Sequence, residues 1–226
     1  MSLPALSLDI LRLVGGATWD TLYMVALSSL AASLIGMPLG IFLATSQRGE
    51  LFAAPLANGV VGAVANALRS TPFIILAVSI IPFTRLVAGT SIGTTAAVVP
   101  LTVAAFPFVA RLVESAVREV DQGLIEAARA MGASPLQIVR KVLVPEALPG
   151  IVLGLTLAVV SLIGYSAIVG VVGGGGLGDL GIRYGYQRFM PEVMFMVVVV
   201  LIVMVQAVQS AGDYLARRVN RRIRRA

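Results

Sequence analysis

The chain has 226 residues, 58% hydrophobic and 12% charged, with a mean hydropathy of +0.95. Ordinary soluble domains carry about 25% charged residues, so this low charge with long apolar runs places the chain in the membrane class. It has no Cys and no His, which excludes disulfides, Cys/His zinc sites and imidazole acid–base chemistry; the net charge is +6.

The first seventeen residues carry Asp9 and Arg12 around a short apolar patch, without the basic leader of a cleavable signal. Residues 1–17 therefore read as a segment ahead of the first span, on the outer side by the charge argument below. A hydrocarbon core of about 30 Å takes roughly 20 helical residues. Five segments are long enough: 18–45, with Trp19 as an interfacial anchor; one within 51–82; 92–109; 151–172; and 193–212. The second is too long for one straight helix, since 51–81 would extend about 46 Å. Either its first part lies along the interface or it breaks, and Arg69-Ser70-Thr71-Pro72 is the expected breakpoint because Pro72 lacks a donor and clashes with the preceding turn. Gly154, Ala158, Ser161 and Gly164 recur at helical spacing on the fourth span and are expected to admit a neighbouring helix. Val193 to Val205 contains no polar residue, whereas a soluble core helix keeps a polar face. The expected fold class is an all-α polytopic membrane protein with five transmembrane helices.

Lys and Arg set the orientation. The tail, 213–226, ends in Arg217-Arg218-Val219-Asn220-Arg221-Arg222-Ile223-Arg224-Arg225, which reads as a cytoplasmic flank facing anionic lipid. It has no aromatics to stack bases, so nucleic acid is not an expected partner. With this tail inside, twelve basic residues lie inside and four outside, Arg69 being left uncounted within a run. The N-terminus is then outside.

The long loop between spans three and four, about 111–149, faces inward in this arrangement. Glu114 and Arg118 are spaced i, i+4, so the third span is expected to continue as a solvated helix until Gly123 interrupts it. Leu124, Ala127, Ala128 and Met131 then share one face, with Glu126 and Arg129 on the other. Gly132 is the expected C′ residue, Ser134 the next N-cap, Pro135 the first helical residue and Gln137 the capping-box partner. The second loop helix is expected to bury Leu136, Val139 and Leu143, to stop at Pro145, and to return to the membrane at Pro149. The residues leave two readings: a helical hairpin that caps its own bundle, or a docking element whose alanines admit another surface.

Glu126-Ala127-Ala128, Gly132 and Val142-Leu143-Val144-Pro145 resemble the EAA signature of binding-protein-dependent ABC importer permeases, with Val142 and Val144 in its two aliphatic places. Arg69-Ser70-Thr71-Pro72-Phe73, Gly164-Tyr165-Ser166-Ala167 and Gly175-Gly176-Leu177-Gly178 are similar to the methionine-importer permeases of that family, and the likeness runs from about Thr18 to Asp213. The resemblance implies a type I ABC importer permease domain over 18–212, in a bacterial inner membrane. It implies a second copy of the chain, two cytoplasmic ABC ATPase subunits and an extracytoplasmic substrate-binding protein. Glu126, Ala127, Ala128, Met131 and Gly132 would then form the ATPase-coupling segment. Residue chemistry alone does not select methionine over another small solute, and a channel or scaffold without ATP coupling is the reading from a different class.

Other signals are weaker. Gly173, Gly175 and Gly178 match G-x-G-x-x-G, but no strand precedes them, so a flexible outer loop is expected instead of a nucleotide site, serving as a tight re-entrant turn, a docking surface for the binding protein or a plain linker. Arg69 either lines the translocation path or snorkels to an interface or to carbonyls freed by Pro72. Tyr165 and Ser166 are the other path candidates, against simple bonding to a neighbouring helix. Met190, Met194, Met196 and Met204 read as packing. Tyr184, Tyr186 and Phe189 fit an aromatic belt. Glu114, Glu119, Asp121 and Glu126 are interleaved with arginines, a solvated-face pattern without paired catalytic carboxylates. There is no G-x-x-x-x-G-K-[ST] loop, so ATP use requires a partner. No catalytic residue, metal or cofactor is expected.

Overall fold

A computed structural model describes residues 8–220. These residues form α1 (Leu8–Thr45), α2 (Pro55–Ser70), α3 (Phe73–Ser79), α4 (Ile81–Ala88), α5 (Thr94–Arg118), α6 (Gln122–Ala130), α7 (Pro135–Ile138), α8 (Val144–Val169), α9 (Gly176–Leu180) and α10 (Pro191–Val219). Two π-helical stretches, Val139–Leu143 and Gly181–Tyr186, adjoin α8 and α9, and Gly170–Gly174 is a kink whose backbone leaves the helical region at Val172 and Gly173. Among the described residues, four helical stretches are long and apolar enough to cross a bilayer: α1, α5, Pro135–Gly174 and α10. A fifth arises if α2 and α3, broken between Ser70 and Phe73 where the proline predicts it, count as one span. Helix α1 runs from Leu8, so residues 8–17 are helical and continuous with the first span, not a separate segment ahead of it. The arginines at 221, 222, 224 and 225 lie outside the described residues.

The chain divides into two compact units. One comprises 32–70, 106–158 and 209–226, and its hub is the second half of α5. Gly36 and Gly40 on α1 lie against the carbonyls of Phe106 and Ala110; a Cβ built on Gly36 would fall 2.7 Å from the Phe106 oxygen. On another side, Cβ atoms built on Gly150 and Gly154 of α8 would lie 3.0 Å from the Cβ atoms of Ala116 and Leu112. Small residues on α8 thus act as expected at Gly154. Gly164 does not: a Cβ there meets nothing within 4 Å.

Pro145 does not end the second loop helix. The Val144 N–H donates to the Val139 carbonyl, five residues back, in the π stretch Val139–Leu143. The ladder changes register there, so Pro145 sits in the first turn of a fresh α segment, where a missing donor is tolerated. Helix α8 then runs on through Pro149. Nor does Gly123 interrupt the preceding helix. The break comes earlier: α5 ends at Arg118, and Asp121 caps α6 by accepting from the Gly123 N–H at 2.7 Å.

The other unit comprises 1–31, 71–105 and 159–208. Val14, Leu177, Leu180, Val193 and Val197 form a core cluster, with Met190, Met196 and Met204 against it, so these methionines pack as expected. The glycine run is a tight return, not a flexible loop. Gly173, Gly175 and Gly176 have φ of +93°, +79° and +76°, and the Leu177 N–H donates to Thr21 Oγ1 at 2.9 Å with Leu177 fully buried. Positive φ at three positions is what glycine alone adopts without strain. Phe189, at φ +53°, is the one non-glycine residue with positive φ among those described.

Candidate functional site

Helix α6 and its flanks are set by local hydrogen bonds. Asp121 caps the start. At the end, Gly132 takes φ +75°, the Gly132 N–H donates to the Arg129 carbonyl at 2.9 Å and the Ala133 N–H to the Ala128 carbonyl at 3.1 Å. That pair of bonds is a Schellman closure, which requires a left-handed residue at Gly132. Ser134 follows as N-cap. Its hydroxyl accepts from the Gln137 N–H at 3.4 Å, while its own N–H donates to Gln137 Oε1 at 2.9 Å, and Pro135 takes the first helical position. The expected cap, turn and capping box are all present.

The expected apolar face is divided. Ile125 and Ala128 turn inward, whereas Leu124, Ala127 and Met131 face out, Met131 being 81% exposed. Glu126, Arg129 and Gly132 are exposed as well. Leu136, expected to be buried, is 57% exposed, and Ile138 takes its place beside buried Val139 and Leu143. The reason is the π stretch, which rotates the helix between Ile138 and Leu143 relative to a uniform 3.6-residue period. Leu124, Ala127 and Met131, spaced i, i+3 and i+7, thus form an apolar strip, with Leu136, Arg129, Arg140 and Lys141 also exposed. Ile125 was missed because its i, i+3 pairing with Ala128 is as compatible with helical spacing as the face chosen.

Glu114 departs from the solvated-face expectation. It is 5% exposed and is bound by Arg111 Nη1 at 2.6 Å and by Arg118 Nη2 at 2.5 Å. A buried carboxylate needs such partners, because an uncompensated charge out of water is strongly unfavourable. Arg111 also donates from Nη2 to the Gly62 carbonyl at 2.8 Å.

Arg69 lies exposed in the last turn of α2. Ser166 is buried and donates to the Ile163 carbonyl of its own helix at 2.7 Å, so its proton is already committed. Tyr165 stacks on Phe73, with ring centroids 4.6 Å apart and planes 11° apart. The pair borders an open apolar groove of about 690 Å³ that Ile168, Met194 and Val198 also line. Stacking adds about 1 kcal/mol beyond area burial. Tyr165→Leu is expected to lower the unfolding temperature in detergent by about 3 °C, with Tyr165→Phe unchanged. A loss in Tyr165→Phe as large as that in Tyr165→Leu would assign the effect to the hydroxyl.

Among the described residues, no group of three or more Asp or Glu is placed to hold a metal ion. The site is a short capped helix with an outward apolar strip, three residues beyond the end of the helix that carries the Glu114 cluster.

The description "Binding-protein-dependent transport system inner membrane component" fits residues 36–225. The probable D-methionine transport system permease protein MetI of Vibrio cholerae is 56% identical over 206 residues, covering 91% of this chain and 92% of that one. The Escherichia coli K12 D-methionine transport system permease protein is 53% identical over 152 residues, 67% of this chain and 70% of that one. The solved MetNI methionine ABC transporter, in an inward-facing conformation, contains a chain with 49% identity and a TM-score of 0.93, covering 95% of this chain and 100% of that one. An amino acid ABC transporter crystallised with histidines shares the fold at a TM-score of 0.78 and 23% identity, covering 96% of this chain and 100% of that one.

Proposed function

The chain belongs to the binding-protein-dependent transport system inner membrane components, and from that premise we propose that it is the membrane-spanning permease of an ATP-driven methionine importer. Two copies form the pathway, two ABC ATPase subunits supply the energy, and a substrate-binding protein delivers the amino acid. The permease performs no bond chemistry. Its task is to exchange two arrangements of a helix bundle, one open to each side.

Helix α6 is the handle. One observation carries this reading: the α6 apolar strip is presented outward by a turn that hydrogen bonds fix at both ends. Closure of the ATPase pair would drag that strip and tilt the helices to which it is attached. Glu126, Ala127, Ala128, Met131 and Gly132 make up the coupling segment, with Ala128 holding α6 to its own chain and Met131 reaching the partner. Leu124 and Leu136 join the contact. The N-terminus lies outside and the C-terminus in the cytoplasm, as the distribution of twelve basic residues against four indicates. Arg69 and Tyr165 are the translocation-path candidates; Ser166 is the weaker of the three because its hydroxyl is occupied.

The natural absence of Cys makes the test clean. A single cysteine at Met131, labelled with a membrane-impermeant maleimide, is expected to react in inside-out vesicles and not in intact cells. Added ATPase subunit is expected to protect it. Labelling from outside intact cells would overturn both the orientation and the coupling role.

A further inference from the structure

Arg111 holds two helices of one unit at once. Its Nη1 donates to Glu114 Oε2 at 2.6 Å, one turn along α5, and its Nη2 donates to the Gly62 carbonyl of α2 at 2.8 Å. Arg118 occupies the other oxygen of Glu114 at 2.5 Å, so the carboxylate is fixed from both sides. The remaining donor of Arg111, Nε, is buried without an acceptor. A buried orphan donor on a charged group is costly and calls for an explanation.

The position of this cluster gives it meaning. Only residues 119–121 separate the end of α5 from the start of α6. Against α1 and α8, the same half of α5 rests on close glycine contacts that carry no side-chain hydrogen bond from the glycine. Toward α2 the link is a forked guanidinium, whose planar donors fix direction as well as distance. Seven residues beyond Gly62, about two helical turns, α2 ends in the turn that carries Arg69.

We propose that Arg111 is a positioning residue of the transport cycle: it ties α5, and through it α6, to α2, so that displacement of α6 moves α2 and Arg69 with it. The idle Nε is the donor available to a new acceptor once α5 and α2 have shifted. This inference rests on the coupling role assigned to α6.

The test uses the whole importer in proteoliposomes, with ATPase and binding protein, radiolabelled methionine and Arg111→Lys. A lysine ammonium can hold Glu114 but lacks the fork that also reaches the Gly62 carbonyl. ATP hydrolysis and thermal stability are expected to stay within about twofold and about 3 °C of wild type, while methionine carried per ATP falls about fivefold. Single cysteines at exposed Ala63 on α2 or Gln122 on α6, spin-labelled in the two-copy importer, report motion directly. Nucleotide is expected to change both intercopy distances in wild type, and only the Gln122 distance in Arg111→Lys. The proposal is overturned if the Ala63 change survives in Arg111→Lys, or if uptake, hydrolysis and thermal stability fall together. Normal transport by Gly132→Asp would instead remove the coupling role of α6; uncoupling by that variant with no effect of Arg111→Lys removes only this link.

Discussion

Gly132→Asp is expected to cut ATP-dependent methionine uptake at least about tenfold while the chain still inserts and folds. Gly132 has φ +75°, and a Cβ built there meets nothing within 4 Å, so the substitution creates no clash. The cost is conformational and electrostatic. A side chain in the left-handed region costs about 1–2 kcal/mol, with Asp and Asn at the low end because they tolerate it best. A carboxylate at a helix C-terminus also meets the negative end of the macrodipole, for roughly 0.3–1 kcal/mol more. Together these loosen the closure that joins α6 to Ser134, and they place a charge beside the Met131 strip. Gly132→Asn separates the two terms, since it keeps the shape and removes the charge. It is expected to retain uptake within about threefold, and Gly132→Val, β-branched at positive φ, to lose it. Measured uptake and co-purification with the ATPase decide the matter. Normal transport by Gly132→Asp would remove the coupling assignment.

Why the cap at Gly132 was legible and the burial of Glu114 was not is a matter of range. The Gly132 turn, the Ser134 box and the break before Pro72 are dictated by bonds within a few residues, so residue identity specifies them. Glu114 and Glu119 stand in the same charged stretch, yet Glu114 is buried because α5 packs its face against other helices while Glu119 lies beyond its end. Pro145 misled for a related reason. Proline normally stops a helix, but the π stretch ahead of it changes the hydrogen-bond register, and nothing in hydrophobic spacing announces that change. The contrast between Leu136 and Ile138 follows from the same rotation. The caps and the turn that bound α6 are legible because their bonds are local; the division of its faces is not, because that depends on what α6 rests against.

Gly178→Ala is expected to destabilise the protein by about 3 kcal/mol, which corresponds to a fall of roughly 8 °C in the unfolding temperature in detergent. Two backbones meet at this point. A Cβ on Gly178 would run into the Ala167 carbonyl and Cα, and a Cβ on Gly170 would lie 2.5 Å from the Asp179 nitrogen and 2.9 Å from the Gly175 oxygen. Those are main-chain atoms, so no rotamer change relieves the overlap. The end of α8 would have to separate from α9, loosening Leu177 and Leu180, which are 0% and 4% exposed. Gly164→Ala on the same helix α8 supplies the opposite expectation. Its Cβ enters open space, and alanine is the better helix former by about 1 kcal/mol, so its unfolding temperature should hold or rise. If Gly178→Ala melts with the wild type while Gly164→Ala melts early, the close crossing of α8 and α9 is not what holds this unit together.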